Sequence, residues 1–190
     1  MKKYSLLFLI SAALLSCNPK QEDAAKKETT TAAAADTVNI EARLKELNIE
    51  LTTPKPPTAN FVKTVRVGNL VYTSGHGPDR AEGGPVTGRV GGDLTLEQGQ
   101  EAARLTGISL LSSLKAEIGD LNKIKRVVKV LGMVQSTPEF KDQPKVMNAF
   151  SDMMVDIFGE KGKHARSAVG MSALPGNIAI EIEMIVEVED

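Results

Sequence analysis

Hydrophobic and polar positions along the chain separate helical stretches from strands. Apolar residues recur at helical spacing over about residues 39–48 and predict a short helix. Thr95-Leu96-Glu97-Gln98 has the form of a capping box, and the apolar stripe after it predicts a long helix that ends at Gly119. A second long helix is predicted over residues 144–158, where a methionine-rich stripe faces the core.

Five mostly apolar or β-branched runs predict strands, at residues 61–67, 70–74, 127–134, 165–174 and 178–188. The first two flank Gly68-Asn69, which tolerates positive φ and indicates a hairpin. The last two flank Pro175-Gly176-Asn177 and predict another hairpin, while the third predicts a strand buried on both faces. Only two long helices interrupt the strands, so the order predicts an α+β sheet with both helices on one face.

The last strand alternates strictly, with apolar even-numbered residues over 178–188 and with Glu181 and Glu183 on the other face. In a simple hairpin Arg166 lies opposite Ile185, with Glu183 as a diagonal neighbour on the same face. Glu181 then lies opposite Gly170, about 13 Å from Arg166 along the same face. Arg166 has two interpretations: a structural ion pair with Glu183, which the spacing favours, or a bidentate site for a carboxylate ligand.

The composition is that of an ordinary globular chain and removes several classes of function. The 190 residues contain 23 Lys and Arg against 24 Asp and Glu, and the net charge of −1 argues against a nucleic-acid partner. The single cysteine excludes an intrachain disulfide and a multi-cysteine zinc site. His76 and His164 are the two histidines, and without a third ligand at a recognisable spacing we expect no metal site.

The first residues have the pattern of a bacterial lipoprotein signal. Met1-Lys2-Lys3 is basic, residues 4–15 are apolar but short for a membrane span, and Leu14-Leu15-Ser16-Cys17 resembles a lipobox. Cys17 would then carry lipid, and we expect a lipid-anchored protein of the bacterial cell envelope, periplasmic or outer-membrane associated, whose membrane contact is the anchor alone. A plain signal peptide, or a cytoplasmic protein with an apolar start, is the alternative.

Behind this signal, residues 18–53 are predicted to be a flexible tether with the short helix, because residues 18–37 are small, polar and simple in sequence. Pro54, Pro56 and Pro57 then open one domain over residues 54–190.

Several motifs of this domain, taken together, resemble the RidA/YjgF family. They are Asn69 to Gly75, Arg166-Ser167-Ala168-Val169, Leu174-Pro175 and Ile180-Glu181-Ile182-Glu183, and the stretch from His164 to Gly170 is similar to the YjgF-like branch, also called endoribonuclease L-PSP. The resemblance implies a chorismate-mutase-like fold and a homotrimer with clefts between subunits. It also implies hydrolysis of reactive enamine and imine carboxylates to 2-keto acids and ammonia, without a cofactor or metal.

The resemblance further implies roles for individual residues. Arg166 would clamp the substrate carboxylate, and Glu181 would position or activate water. The pocket would be lined by Ser74, Gly75 and the backbone of Ala168.

The chain departs from the family pattern at two pocket positions and in one spacing. Phe61 stands in place of a tyrosine, Ala168 in place of a cysteine, and Asn148 corresponds to a pocket asparagine with a one-residue difference in spacing to Arg166. A non-catalytic small-carboxylate-binding protein and a chaperone-like protein on the same fold are the alternatives to the hydrolase.

Overall fold

The structure is a computed structural model that describes residues 39–189 of the chain. The predicted signal peptide with Cys17, and the predicted tether up to residue 38, lie outside the described residues. The helices and strands are, in chain order, α1 (Ile40–Glu46), β1 (Thr64–Val67), β2 (Leu70–Thr73), α2 (Leu96–Ile118), β3 (Ile124–Gln135), α3 (Gln143–Phe158), β4 (Ala165–Met171) and β5 (Ile180–Val188).

Within residues 39–189 the strands form one mixed sheet in the order β1-β2-β5-β3-β4. Neighbouring strands are antiparallel except β3 and β4, which are parallel because the chain crosses over between them through α3. α2 and α3 pack against each other and against one face of the sheet, and α1 packs on α3 and buries Ile40 and Leu44. The predicted α+β fold, with a mixed sheet and two long helices on one face, is confirmed.

The predicted ends of α2 are also confirmed. Thr95 Oγ1 accepts a hydrogen bond from the backbone N of Gln98 at 3.2 Å, and Gln98 Oε1 accepts one from the backbone N of Thr95 at 2.8 Å. Gly119 ends the helix with a φ of 79°. On α3 the methionine stripe lies in the core, as its spacing predicts; Met153 and Met154 are both buried.

The predicted hairpin between the last two strands is wrong, because β3 lies between β4 and β5. Val130 of β3 pairs with Arg166 on one side and with Met184 on the other. The crossover through α3 places β4 beside β3, so β5 pairs with the other side of β3. The segment between β4 and β5 forms two backbone hydrogen bonds with the loop before α2. The N–H of Gly88 in the loop donates to the carbonyl of Asn177, and the N–H of Ala179 donates to the carbonyl of Val86 in the loop.

The prediction that β3 is buried on both faces is also wrong. Its helix-facing residues, such as Val130 and Val134, are fully buried, whereas Leu131 and Met133 on the opposite face are partly exposed. We call this second face the open face of the sheet. It also carries Glu181, as the alternation of β5 predicts.

No helix within residues 39–189 has the length and apolar character needed to cross a bilayer. In the same residues no group of three or more His, Cys, Asp or Glu side chains could hold a metal ion.

Candidate functional site

Arg166 lies on the edge strand β4 and faces the helices. It pairs with Val130, whose side chain lies in the core, so both side chains are on the same side of the sheet. Nη1 of Arg166 donates to Oδ1 of Asn148 at 3.1 Å and to Oγ of Ser151 at 3.0 Å, and both partners belong to α3. Ala168 lies two residues further along the same face. We call Arg166, Asn148 and Ala168 the arginine group.

These two hydrogen bonds use both protons of Nη1 and leave the other side of the guanidinium open. Within residues 39–189 no hydrogen bond or ion pair involves Nε or Nη2 of Arg166. Nε–H and the nearer Nη2–H point the same way in the guanidinium plane, which is the geometry that binds both oxygens of a carboxylate. The arrangement can therefore hold a small carboxylate at the sheet edge.

Glu181 lies on the open face, against the backbone of Gly75. A Cβ at Gly75 would lie 2.7 Å from the carboxyl carbon and 2.9 Å from Cγ of Glu181, so the glycine leaves room for the Glu181 side chain in this position. Burial raises the pKa of the Glu181 carboxyl, and the nearby charge of Glu183 raises it further. A carboxylate with a raised pKa is suited to accept a proton from water. We call Ser74, Gly75 and Glu181 the glutamate group.

Hydrogen bonds on both sides fix the backbone around Gly75. Ser74 donates from its backbone N and from Oγ to one carbonyl before β1, at 2.9 and 3.3 Å. His76 exchanges two backbone hydrogen bonds of 3.0 Å with Ile182, and its ring lies 2.8 Å from Ser74 O and 2.8 Å from Ser113 Oγ. Burial lowers the pKa of His76, which favours the neutral ring. Gly75 is therefore held in place against the carboxylate.

Phe61 belongs to neither group. Its side chain is 51% exposed and lines a separate surface cavity of about 330 Å³ with Lys63 and Ser113. The lining of that cavity includes no residue of the arginine group or the glutamate group.

The two groups lie on opposite faces of the sheet. Val130 of β3 pairs with Arg166 on one side and with Met184 on the other, and Glu181 lies three residues from Met184 along β5. Two strand spacings and three residues separate the Cα atoms of Arg166 and Glu181 by about 14 Å. The expectation that both side chains share a face is wrong because β3 intervenes. The structural ion pair between Arg166 and Glu183 is wrong for the same reason.

Sequence reasoning assigned no role to Ser151. It lies three residues after Asn148, and residues at that spacing share a helix face, so the spacing did carry a signal. His164 and Arg166 are two residues apart, a spacing that puts side chains on one face of an extended chain, and both side chains contact Ser151 Oγ. The contact between His76 and Ser113 joins residues far apart in sequence, and no local pattern indicates it.

The sheet order, the parallel β3–β4 pair and the helices on one face define a chorismate-mutase-like α+β protein. The chain belongs to the YjgF family, because the family model described as "YjgF/chorismate_mutase-like, putative endoribonuclease" matches residues 25–188.

The chain is also similar to individual proteins over most of its length. Protein TCP17 of Trypanosoma cruzi is 40% identical over 152 residues, which cover 80% of this chain and 95% of that protein. A 2-iminobutanoate/2-iminopropanoate deaminase of Dermatophagoides farinae is 32% identical over 135 residues, covering 70% and 89%. The crystal structure of Atu1372 from Agrobacterium tumefaciens, a protein of unknown function, is 44% identical with a TM-score of 0.74, covering 80% of this chain and 96% of that one.

Proposed function

We propose that the chain is a hydrolase that deaminates small enamine and imine carboxylates to 2-keto acids and ammonia. The observation that carries the proposal is the open Nε–Nη2 side of Arg166, whose other side is held by α3. The relative from Dermatophagoides farinae, named as a deaminase of 2-imino acids, supports the same class of reaction.

In the proposed reaction Arg166 binds the substrate carboxylate and thereby orients the imine carbon. Glu181 takes a proton from a water molecule as the water oxygen attacks that carbon. Attack breaks the C=N π bond, and the nitrogen takes up the proton that Glu181 had accepted. The hydroxyl proton of the tetrahedral intermediate then passes to the nitrogen as well, the C–N bond breaks, ammonia leaves, and the C=O bond of the keto acid forms. An enamine substrate first becomes the imine by gaining a proton on carbon and losing one from nitrogen. The reaction consumes one water and releases one ammonia, so it needs no oxidant or reductant.

We propose that the complete site forms between subunits of a homotrimer. The arginine group and the glutamate group of one chain lie on opposite faces, so they can meet at one substrate when they come from different subunits. A heterologous contact repeated around a threefold axis would place both groups at each interface of a closed ring. Val65, Val67 and Tyr72 offer apolar surface for such contacts, with exposures of 50, 62 and 40%.

An assay coupled to an amino-acid oxidase tests the activity. The oxidase supplies imino acids, and the rate of keto-acid formation is compared with and without the protein. We expect acceleration over buffer, and a loss on the order of 100-fold in kcat/KM in Arg166→Ala. Arg104→Ala is the matched control, because Arg104 is an exposed arginine on α2, an element that contributes no residue to either group. No acceleration with any of several imino acids would remove the enzymatic proposal.

A non-catalytic small-carboxylate-binding protein is the second candidate. The separation of the two groups within one chain favours it, since Arg166 can bind a carboxylate without Glu181. Pyruvate binding that depends on Arg166, together with no acceleration of imine hydrolysis, would select this candidate.

We also propose that lipid on Cys17 anchors the protein in the bacterial cell envelope. The support is the pattern of the first 17 residues. Cys17→Ser should move the protein out of the membrane fraction, whereas Ser16→Ala, which keeps a small residue before the cysteine, should not. Membrane fractionation that is unchanged in Cys17→Ser would contradict the anchor.

A further inference from the structure

A series of hydrogen bonds runs from Arg166 away from its open side. Nη1 of Arg166 lies 3.0 Å from Oγ of Ser151, which lies 3.1 Å from Nε2 of His164. Nδ1 of His164 lies 2.7 Å from the backbone carbonyl of Gly162. Neither Ser151 nor His164 has a part in the reaction proposed above.

Each of these contacts has a defined donor. A carbonyl oxygen accepts only, so the hydrogen between His164 and Gly162 belongs to Nδ1. The neutral ring then has an acceptor at Nε2, to which Ser151 donates its hydroxyl proton. The lone pairs of Ser151 remain for Arg166, which can only donate. Burial lowers the pKa of His164, and the charge of Arg166 lowers it further, which favours this neutral ring.

The far end of the series is held rigidly. The ring of His164 packs edge-on against Phe150 of α3, with centroids 5.9 Å apart and an interplanar angle of 73°. Gly162 lies so close to the end of α3 that a Cβ there would be 2.9 Å from the backbone N of Val155 and closer still to Met154. The acceptor for His164 is therefore fixed by backbone packing that only a glycine allows.

We propose that Ser151 and His164 are positioning residues, which hold the guanidinium of Arg166 with its Nε–Nη2 side towards the substrate. The inference rests on the proposed function in one respect, the use of Arg166 as a carboxylate clamp. Asn148 alone would hold Nη1 at one point and leave the guanidinium free to rotate about it. The second bond, to Ser151, removes that rotation and presents a fork for a planar carboxylate such as that of a 2-imino or 2-oxo acid.

Four variants and one ligand test the proposal. Pyruvate binding is measured by titration calorimetry, and KM and kcat by the coupled assay. We expect Ser151→Ala to weaken pyruvate binding and raise KM on the order of tenfold with little change in kcat, because the lost bond orients binding in the ground state and the transition state alike. Ser151→Thr restores the hydroxyl and should recover most of the affinity.

Two further variants separate positioning from a general effect on the fold. If His164 acts through Ser151, the Ser151→Ala/His164→Ala double variant should bind pyruvate no more weakly than Ser151→Ala alone. Ser167→Ala is the matched control, because its hydroxyl binds Lys129 Nζ at 2.8 Å on the open face, and its pyruvate binding should match wild type.

The outcomes separate this inference from the proposed function. Unchanged pyruvate binding in Ser151→Ala overturns the inference, even where Arg166→Ala abolishes imine hydrolysis. A fall in melting temperature and kcat at constant KM also overturns it, since that is a structural effect. Weakened binding in Ser151→Ala with no imine hydrolysis by the wild type supports the inference and removes the enzymatic proposal. A wild type that does not bind pyruvate removes the clamp and the inference together.

Discussion

Replacement of Gly75 by alanine should inactivate the protein while leaving its fold intact. The new methyl would overlap Oε1 of Glu181 and lie 2.7 Å from its carboxyl carbon, and an ordinary contact between carbon atoms is about 3.5 Å, so the carboxyl group must retreat by at least about 0.8 Å. Misplacement of a catalytic group by that amount costs on the order of 100-fold in kcat/KM. The side chain of Glu181 is half-buried and can swing aside, so the free energy of unfolding should change by less than about 1 kcal/mol.

The coupled imino-acid assay and thermal unfolding measure the two quantities. Gly77→Ala is the matched control, because its methyl would meet only a flexible end of Ile178 at 3.1 Å, and it should keep near wild-type kcat/KM. The Gly75→Ala/Glu181→Ala double variant should be no worse than Glu181→Ala alone, since both changes remove one interaction. Full activity in Gly75→Ala, or losses that multiply in the double variant, would refute the role given to this contact.

Three predictions concern stability. Because the pKa of Glu181 is raised in the folded protein, the stability that its protonated carboxyl contributes is lost as the pH rises above about 4.5. Glu181→Gln should therefore be at least as stable as wild type at pH 7. A clear loss of stability in this variant at pH 7 would contradict the prediction. Because the pKa of His76 is lowered in the folded protein, the stability that its neutral ring contributes is complete above about pH 6.5 and decreases as the pH falls. In thermal scans the melting temperature of His76→Gln should decrease less on acidification than that of wild type. In Gly162→Ala the new methyl would overlap backbone atoms, so the free energy of unfolding should fall by several kcal/mol. In Gly132→Ala the methyl would overlap the flexible side chain of Met147, so the loss should be smaller. The reverse order would contradict the packing described.

Local signals in the sequence predicted the elements well and their pairing less well. The capping box at Thr95, the glycine at 119 and the alternation of β5 are determined by neighbouring residues, and all three agree with the structure. The position of β4 depends on the crossover through α3, which joins residues far apart in sequence. Strict alternation showed which residues of one strand share a face, but it carried no information on which strand lies beside it.

The same limit applies to the candidate site. The contact between Arg166 and Asn148 brings together two residues that the family resemblance had already singled out. The face on which Arg166 lies could not be predicted, because an error in strand order moves it from the helix side to the open side. The contact of Gly75 with Glu181 depends on a bridge between distant segments, and a glycine in a sequence does not show what occupies the space beside it.

The central claim, that Arg166 and Glu181 of different subunits share one site, has a direct test. Arg166→Ala and Glu181→Gln are each expected to be inactive, and the two chains are mixed by co-refolding at equal concentration, with mixed trimers verified by native mass spectrometry. In random trimers about one site in four combines an intact Arg166 with an intact Glu181, so activity should return to about a quarter of the wild-type value. Mixed trimers no more active than the separate variants would contradict the shared site.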